Sequence, residues 1–181
     1  MLVEYSDANN TDYKENRPVY LSISLLNEFD RPKLVKKFIW DLADRNNLST
    51  SVNSVKTAND IGRHDFAVQA GKILYYNHTI LDPLSFPQIE RPEFGKIIFP
   101  EQSLIHSVTR QESQFDPKAG SYAGAKGLMQ LMPYTAKRVS KGLKLEYTKS
   151  KLTEDPKYNV ILGSAYLDKF CLLYTSDAAD E

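Results

Sequence analysis

Only one cysteine occurs in this chain of 181 residues. No intrachain disulfide can form, so cysteine usage assigns no redox compartment. Cys171 reads as a small buried residue or an inert thiol, since no histidine lies near it to make a nucleophile. A surplus of either charge is also missing, because 23 basic side chains balance 23 acidic ones. That removes the basic footprint of a nucleic-acid or anionic-membrane binder, though it leaves room for a charged cleft. No apolar run approaches the ~18 residues of a membrane span. Met1–Tyr20 has neither a basic start nor an apolar core, so it is no signal peptide. The three histidines, His64, His78 and His106, show no metal-ligand spacing and no triad pattern. No metal and no cofactor is expected.

What the chain does contain is helical periodicity. Tyr20, Leu21, Ile23, Leu25, Leu26 and Phe29 form one apolar face. Pro32 suits a first helical position. Beyond it Leu34, Val35, Phe38, Ile39 and Leu42 recur at spacings of three and four, with Trp40 and Ala43 widening the stripe. Asn46–Asn47 ends that helix. A weaker helix is expected over Ser49–Asp60, ended by Gly62, and another from Phe66 to about Asn77. FDRPKLVKKFIWDLA at Phe29–Ala43 echoes IGRHDFAVQAGKILY at Ile61–Tyr75, at an offset of 32 residues. Arg31 pairs with Arg63, Val35 with Ala67 and Leu42 with Leu74. Such a period is that of stacked helical hairpins, which bury their faces against one another. Two copies are few for a free array, so more repeats are expected before Met1. Chance periodicity in an ordinary bundle is the competing reading. Trp40, Tyr75 and Tyr76 are expected in the repeat core, with a sugar-binding surface as the lesser alternative.

Pro83, Pro87, Pro92 and Pro100 are four of the nine prolines. They stiffen residues 80–99 into an extended linker. The expected organisation is a helical-repeat segment over 1–79, the linker, a second domain over 100–170, and a tail over 171–181.

The second domain holds the chemistry-bearing run ESQFDPKAGSYAGAKGLMQLMPYTA at Glu112–Ala136. A helix from Pro100 through about Ser113 is expected to pack Leu104, Ile105 and Val108. Glu112 then falls near the packed side. A carboxylate losing hydration there shifts toward its neutral acid and can donate a proton near neutral pH. From spacing alone, an ordinary helix-end glutamate is the simpler reading. Asp116 reads as a turn cap. Phe115 can cover the helix end, and Gly120, Gly124 and Gly127 permit tight turns. A second short helix is expected to carry Gln130 and Met132, with Leu128 and Leu131 facing inward and Met129 in the core. Pro133 opens the next helix. A phosphate loop is ruled out because the Gly-Lys-Ser/Thr ending is missing.

This run resembles the active-site motif of the soluble lytic transglycosylases. Glu112, Ser113, Phe115, Pro117, Ser121, Gly124, Ala125, Gly127, Leu128, Met129, Gln130, Met132, Pro133, Thr135 and Ala136 carry the likeness. DPKYNVILGSAYLDKF at Asp155–Phe170 resembles the family's next helix, through Asn159, Gly163, Tyr166 and Leu167. The resemblance implies an all-α chain: a helical-repeat superhelix segment followed by a partial lysozyme-like domain. It implies Glu112 as sole catalytic acid and base. Ser121, Gln130 and Met132 would bind the glycan, with Tyr122 as a further contact. Ser113, Phe115 and Gly127 would give structural support. The implied reaction cleaves the β-1,4 bond between N-acetylmuramic acid and N-acetylglucosamine in peptidoglycan, leaving 1,6-anhydromuramyl ends. The partners would be peptidoglycan strands, with peripheral contact to the wall or outer membrane, and the compartment the periplasm. A later Tyr-Asn cleft segment of the family has no match here. CLLYTSDAADE at Cys171–Glu181 looks like translated adapter sequence, and the chain reads as a fragment. Two other functions stay open: a catalytically silent glycan-binding or scaffold module, and a lysozyme-like hydrolase.

Overall fold

The computed structural model describes residues 16–44, 47–76, 83–95, 97 and 99–177, with side chains described as far as Lys169. The expectations for Met1–Glu15, Asn46, His78, the Cys171 side chain and residues 178–181 lie outside these. The described residues are all-α. The only pairing of extended backbone among them is two isolated bridges, Gly120–Lys126 and Lys126–Leu131. The chain divides into two compact units, Met1–Pro87 and Gln88–Glu181.

The first unit contains α1 (Arg17–Glu28), α2 (Pro32–Ala43), α3 (Leu48–Asp60) and α4 (His64–Tyr76). Its core gathers Tyr20, Ile23, Val35, Ile39, Leu42, Val52, Val55, Phe66, Ala67 and Leu74. Each large apolar side chain withdrawn in this way stabilises by about 1.5–3 kcal/mol. α3 is weakly amphipathic because it is buried nearly all round. Thr50, Ser51, Ser54 and Thr57 are all withdrawn from solvent. Their hydroxyls need partners, and the helix backbone supplies them: Ser54 Oγ donates to Ser51 O (2.7 Å) and Thr57 Oγ1 to Asn53 O (2.8 Å).

The sequence echo has a structural counterpart. α1 ends where Arg31 N–H donates to Leu26 O (2.8 Å) and Asp30 N–H to Asn27 O (3.1 Å). α3 ends in the same two bonds moved by 32 residues, Arg63 N–H to Ala58 O (2.8 Å) and Gly62 N–H to Asn59 O (2.9 Å). Asp30 and Gly62 both adopt left-handed backbone, with φ of 51° and 72°. That is the usual way a helix end satisfies its last carbonyls. The asparagine just inside each end also reaches onward. Asn27 Nδ2 donates to Ile61 O (3.1 Å), and Asn59 Nδ2 donates to Leu84 O (2.8 Å).

The aromatic residues depart from expectation. Trp40, Tyr75 and Tyr76 are 40%, 61% and 79% exposed rather than in the core. The buried stripe of α2 is Val35, Ile39 and Leu42, and Trp40 lies about 100° round the helix from Ile39. Leu34 and Phe38 are outside that stripe as well, and both are exposed. Lys36 Nζ stands 4.3 Å from the centre of the Trp40 ring.

The second unit contains α5 (Gln102–Glu112), α6 (Pro133–Gly142), α7 (Lys151–Glu154) and α8 (Pro156–Asp177). α8 is its central element, since every residue from Tyr158 to Ala165 is buried. Asp155 Oδ1 caps its start by accepting the Tyr158 N–H (3.0 Å). The helical backbone continues past Phe170 to Asp177. The short α7 has no periodic signal in the sequence. Residues 88–92, read as linker, pack within this unit: His106 Nε2 lies 3.1 Å from both Ile89 N and Ile89 O, and Gln102 Nε2 donates to Ile89 O (2.7 Å).

Candidate active site

α5 buries Ile105 and Thr109 and ends on the buried Ser113. Leu104, expected inside, is 38% exposed. Glu112 is exposed, which corrects the expectation of a desolvated carboxylate. Its azimuth does lie beside Ile105, seven positions earlier. Burial also needs a neighbour facing the last turn. Among the described residues the packing there goes instead to Thr109, Ser113 and Phe115. Arg110, on the same turn, is partly withdrawn from water, and this desolvation lowers its guanidinium pKa from the ordinary value.

The chain leaves α5 through an uncommon conformation. Gln114 and Phe115 are both left-handed, with φ of 55° and 67°. Non-glycine residues held this way cost about 1–3 kcal/mol each and need surrounding support. Ser113 supplies some of it. Its Oγ donates to Thr109 O (3.2 Å) and accepts from Phe115 N–H (3.1 Å). Phe115 is buried, with its ring 6.3 Å from the His106 ring. Asp116 Oδ1 accepts from Lys118 N–H (2.9 Å), so that carboxylate caps a turn.

Residues 119–131 then fold back on themselves. Gly127 N–H donates to Ala119 O (2.8 Å), Lys126 N–H to Leu131 O (3.0 Å) and Leu131 N–H to Lys126 O (3.1 Å). Gln130 and Met132 therefore sit on a tight turn and its exit, not on the expected second helix. Gln130 has φ of 44°, and Met132 is the residue that precedes α6. A helix is excluded because Gly127 and Gln130 are both left-handed and the Lys126–Leu131 bonds close the segment on itself. Gln130 Nε2 donates to Gly127 O (2.8 Å) and Ala119 O (3.2 Å), so its amide nitrogen is committed to the fold. Ser121 Oγ accepts from Ala125 N–H (3.0 Å), closing a small exposed loop. Tyr122 stands fully exposed on that loop, and Met132 is 43% exposed.

Two close approaches lock the turn against α8. Gly127 has φ of 74°, and a Cβ there would meet Leu152 O and Asn159 Nδ2. A Cβ on Gly163 would meet the Met129 side chain. Between them lies Asn159, fully buried. Its Nδ2 donates to Lys126 O and Leu152 O, both at 2.9 Å, and its Oδ1 accepts from Met129 N–H at 2.9 Å. This clamp is named in the sequence only by resemblance. The independent signal is a lone amide in the otherwise apolar stretch that starts α8. A separate cavity of about 200 Å³ is lined by Ile89, Pro92, Leu128, Pro156 and Val160 among others, and Glu112 is not in its wall. Among the described residues, no group of three or more metal-ligating side chains is placed to hold an ion.

The described residues of this unit thus join a helix ending on Glu112 to a glycine-rich turn clamped by Asn159. Residues 100–178 match the family model of the Transglycosylase SLT domain. The putative soluble lytic murein transglycosylase of Haemophilus influenzae is 41% identical over 68 residues, covering 38% of this chain and 12% of that protein. The soluble lytic murein transglycosylase of Escherichia coli K12 is 38% identical over 87 residues, covering 47% and 13%. Membrane-bound lytic murein transglycosylase C of Mannheimia succiniciproducens is 44% identical over 70 residues, covering 37% and 19%. The chain thus spans a small part of the length of these relatives. Among solved structures, the 70-kDa soluble lytic transglycosylase in complex with bulgecin A superposes with a TM-score of 0.68 at 25% identity, over 91% of this chain and 27% of that one. An inactive mutant of lytic transglycosylase Slt from Pseudomonas aeruginosa shares the fold, with a TM-score of 0.63 at 23% identity over 88% and 28%.

Proposed function

We propose that the protein to which this chain belongs is a peptidoglycan lytic transglycosylase with Glu112 as its only acid and base. The observation that carries the reading is the Glu112–Ala136 motif folded into one hydrogen-bonded unit within a matched SLT domain. Glu112 protonates the β-1,4 oxygen between N-acetylmuramic acid and N-acetylglucosamine. The 2-acetamido carbonyl stabilises the positive charge growing at C1. Glu112, now a carboxylate, takes the proton of the C6 hydroxyl as that oxygen closes on C1. The product is a 1,6-anhydromuramyl end, and no water is consumed. One carboxylate suffices, whereas a hydrolytic glycosidase uses two. Asp116 is engaged in its own turn and offers no second one. Ser121, Tyr122, Gln130 and Met132 present the surface for the glycan, and bacterial wall in the periplasm is the setting.

The exposure of Glu112 favours a second reading for the isolated chain, that of a glycan-binding module without turnover. Digestion of purified peptidoglycan, read by mass spectrometry, separates the readings. Anhydro ends support the proposal, water-added ends point to a hydrolase, and binding without products points to the silent module. Replacing Glu112 with Gln is expected to lower cleavage by about 10²–10⁴-fold. Cleavage within threefold of the parent would remove Glu112 from its role.

A further inference from the structure

We infer that the first unit carries a glycan-binding groove of its own, centred on Trp40 and suited to a saccharide strand with acidic substituents. The groove is open, about 580 Å³, and lined by Lys33, Lys36, Lys37, Trp40, Asp41, Asp44 and Ile73. α2 and the residue that ends it supply all but the last. An indole left 40% exposed beside a groove is an uncommon use of a large aromatic ring. Lys36 Nζ lies over the ring, a favourable placement of a cation on an indole face. Tyr76 follows Ile73 by three positions on α4, so it extends the same side with a second exposed ring.

The mixed chemistry indicates the ligand class. A flat aromatic ring packs against the C–H face of a sugar. Asp41 and Asp44 accept hydrogen bonds from hydroxyls, since ionised carboxylates are acceptors only. Lys33 and Lys37 make no ion pair among the described residues, so their charge is available to carboxylates on the strand. A nucleic acid would call for a clear basic excess, which the two aspartates remove. A peptidoglycan strand, with neutral sugars and acidic peptide stems, meets all three demands. The choice of that strand rests on the function proposed for the second unit.

Trp40 is the only tryptophan in the chain, so it reports on its own site. The 181-residue chain carrying Glu112→Gln is titrated with soluble uncrosslinked peptidoglycan strands, and tryptophan emission is followed. A saturable emission change is expected, weakened by salt through screening of the lysines. A Lys33→Ala/Lys37→Ala double variant keeps the reporter and should bind roughly tenfold more weakly, the scale of losing a central contact. Trp40→Ala should lose a similar factor when binding is measured by calorimetry. An unchanged emission at saturating strand, or equal affinity of the double variant, would overturn the inference. So would an equal response to polyglutamate, which carries the charge without sugar. Failure here is distinct from failure of the catalytic reading, which is judged by products formed by the parent sequence.

Discussion

Gln130, proposed above to meet the glycan, shows at the level of single residues that such a side chain can also be a structural one. The sequence presents an amide beside apolar neighbours, which reads as a side chain free for ligand. Its Nε2 instead holds the carbonyls of Ala119 and Gly127. Gln130→Ala should therefore lower kcat/KM and also cost about 1 kcal/mol of stability, the net worth of an ordinary hydrogen bond. Denaturant titration alongside kinetics checks both halves. A kinetic loss with no change in stability would make the side chain a ligand group alone. Asn159 is the more demanding position. Its side chain is buried and holds three hydrogen bonds, so truncation strands the Leu152 carbonyl and the Met129 N–H and leaves Lys126 O with the Leu131 N–H alone. Asn159→Ala is expected to cost about 3 kcal/mol or more, because unpaired buried groups cost about 1–3 kcal/mol each. Asn159→Asp should be no better, since it would turn an acceptor toward two carbonyls. Chemical unfolding of the second unit tests this, and a loss no larger than that of an exposed substitution would remove the clamp from the account. The sequence led to Glu112 and to the whole glycine-rich run through residue types and their order. It could not reveal that Glu112 is exposed, because periodicity gives an azimuth on a helix and not what stands opposite.

Helices were the most legible elements. Sequence pattern located α1 to α6 to within a few residues, most sharply α2 and α6 with a proline at the start and a buried stripe, and most weakly α3, which is buried nearly all round. Two features lay beyond it. The segment 127–132 looks apolar enough for a helix, yet cross-turn bonds and a left-handed Gln130 hold it as a turn. Trp40 sits one residue from a core position, and one residue is enough to move it to the surface. Between elements, the repeated asparagines are the contacts to test. Asn59→Ala should cost about 1 kcal/mol by releasing Leu84 O. An unchanged midpoint in urea would show that the bond contributes nothing to how α3 holds the following segment.

Across the molecule, the division into two compact units makes a prediction about cooperativity. The only tryptophan lies in the first unit, while helices lie in both. Tryptophan emission should follow the first unit, and far-ultraviolet circular dichroism the sum. Asn159→Ala is expected to shift the circular dichroism curve toward lower denaturant and leave the emission curve in place. If both curves move together, the chain unfolds as one body. The division itself was partly legible. Prolines marked the change of regime, but not that residues 88–92 pack against α5 of the second unit through His106 and Gln102.

The helix ends at Asp30 and Gly62 share their hydrogen bonds at a 32-residue offset, and each is preceded by an asparagine that reaches forward. A chain assembled this way has a natural unit of insertion and deletion. Gaining or losing one whole period keeps the next helix end in phase, whereas a change by one residue rotates every following helix by about 100° and turns its buried stripe outward. Length variation among proteins built on this pattern should therefore come in complete hairpins.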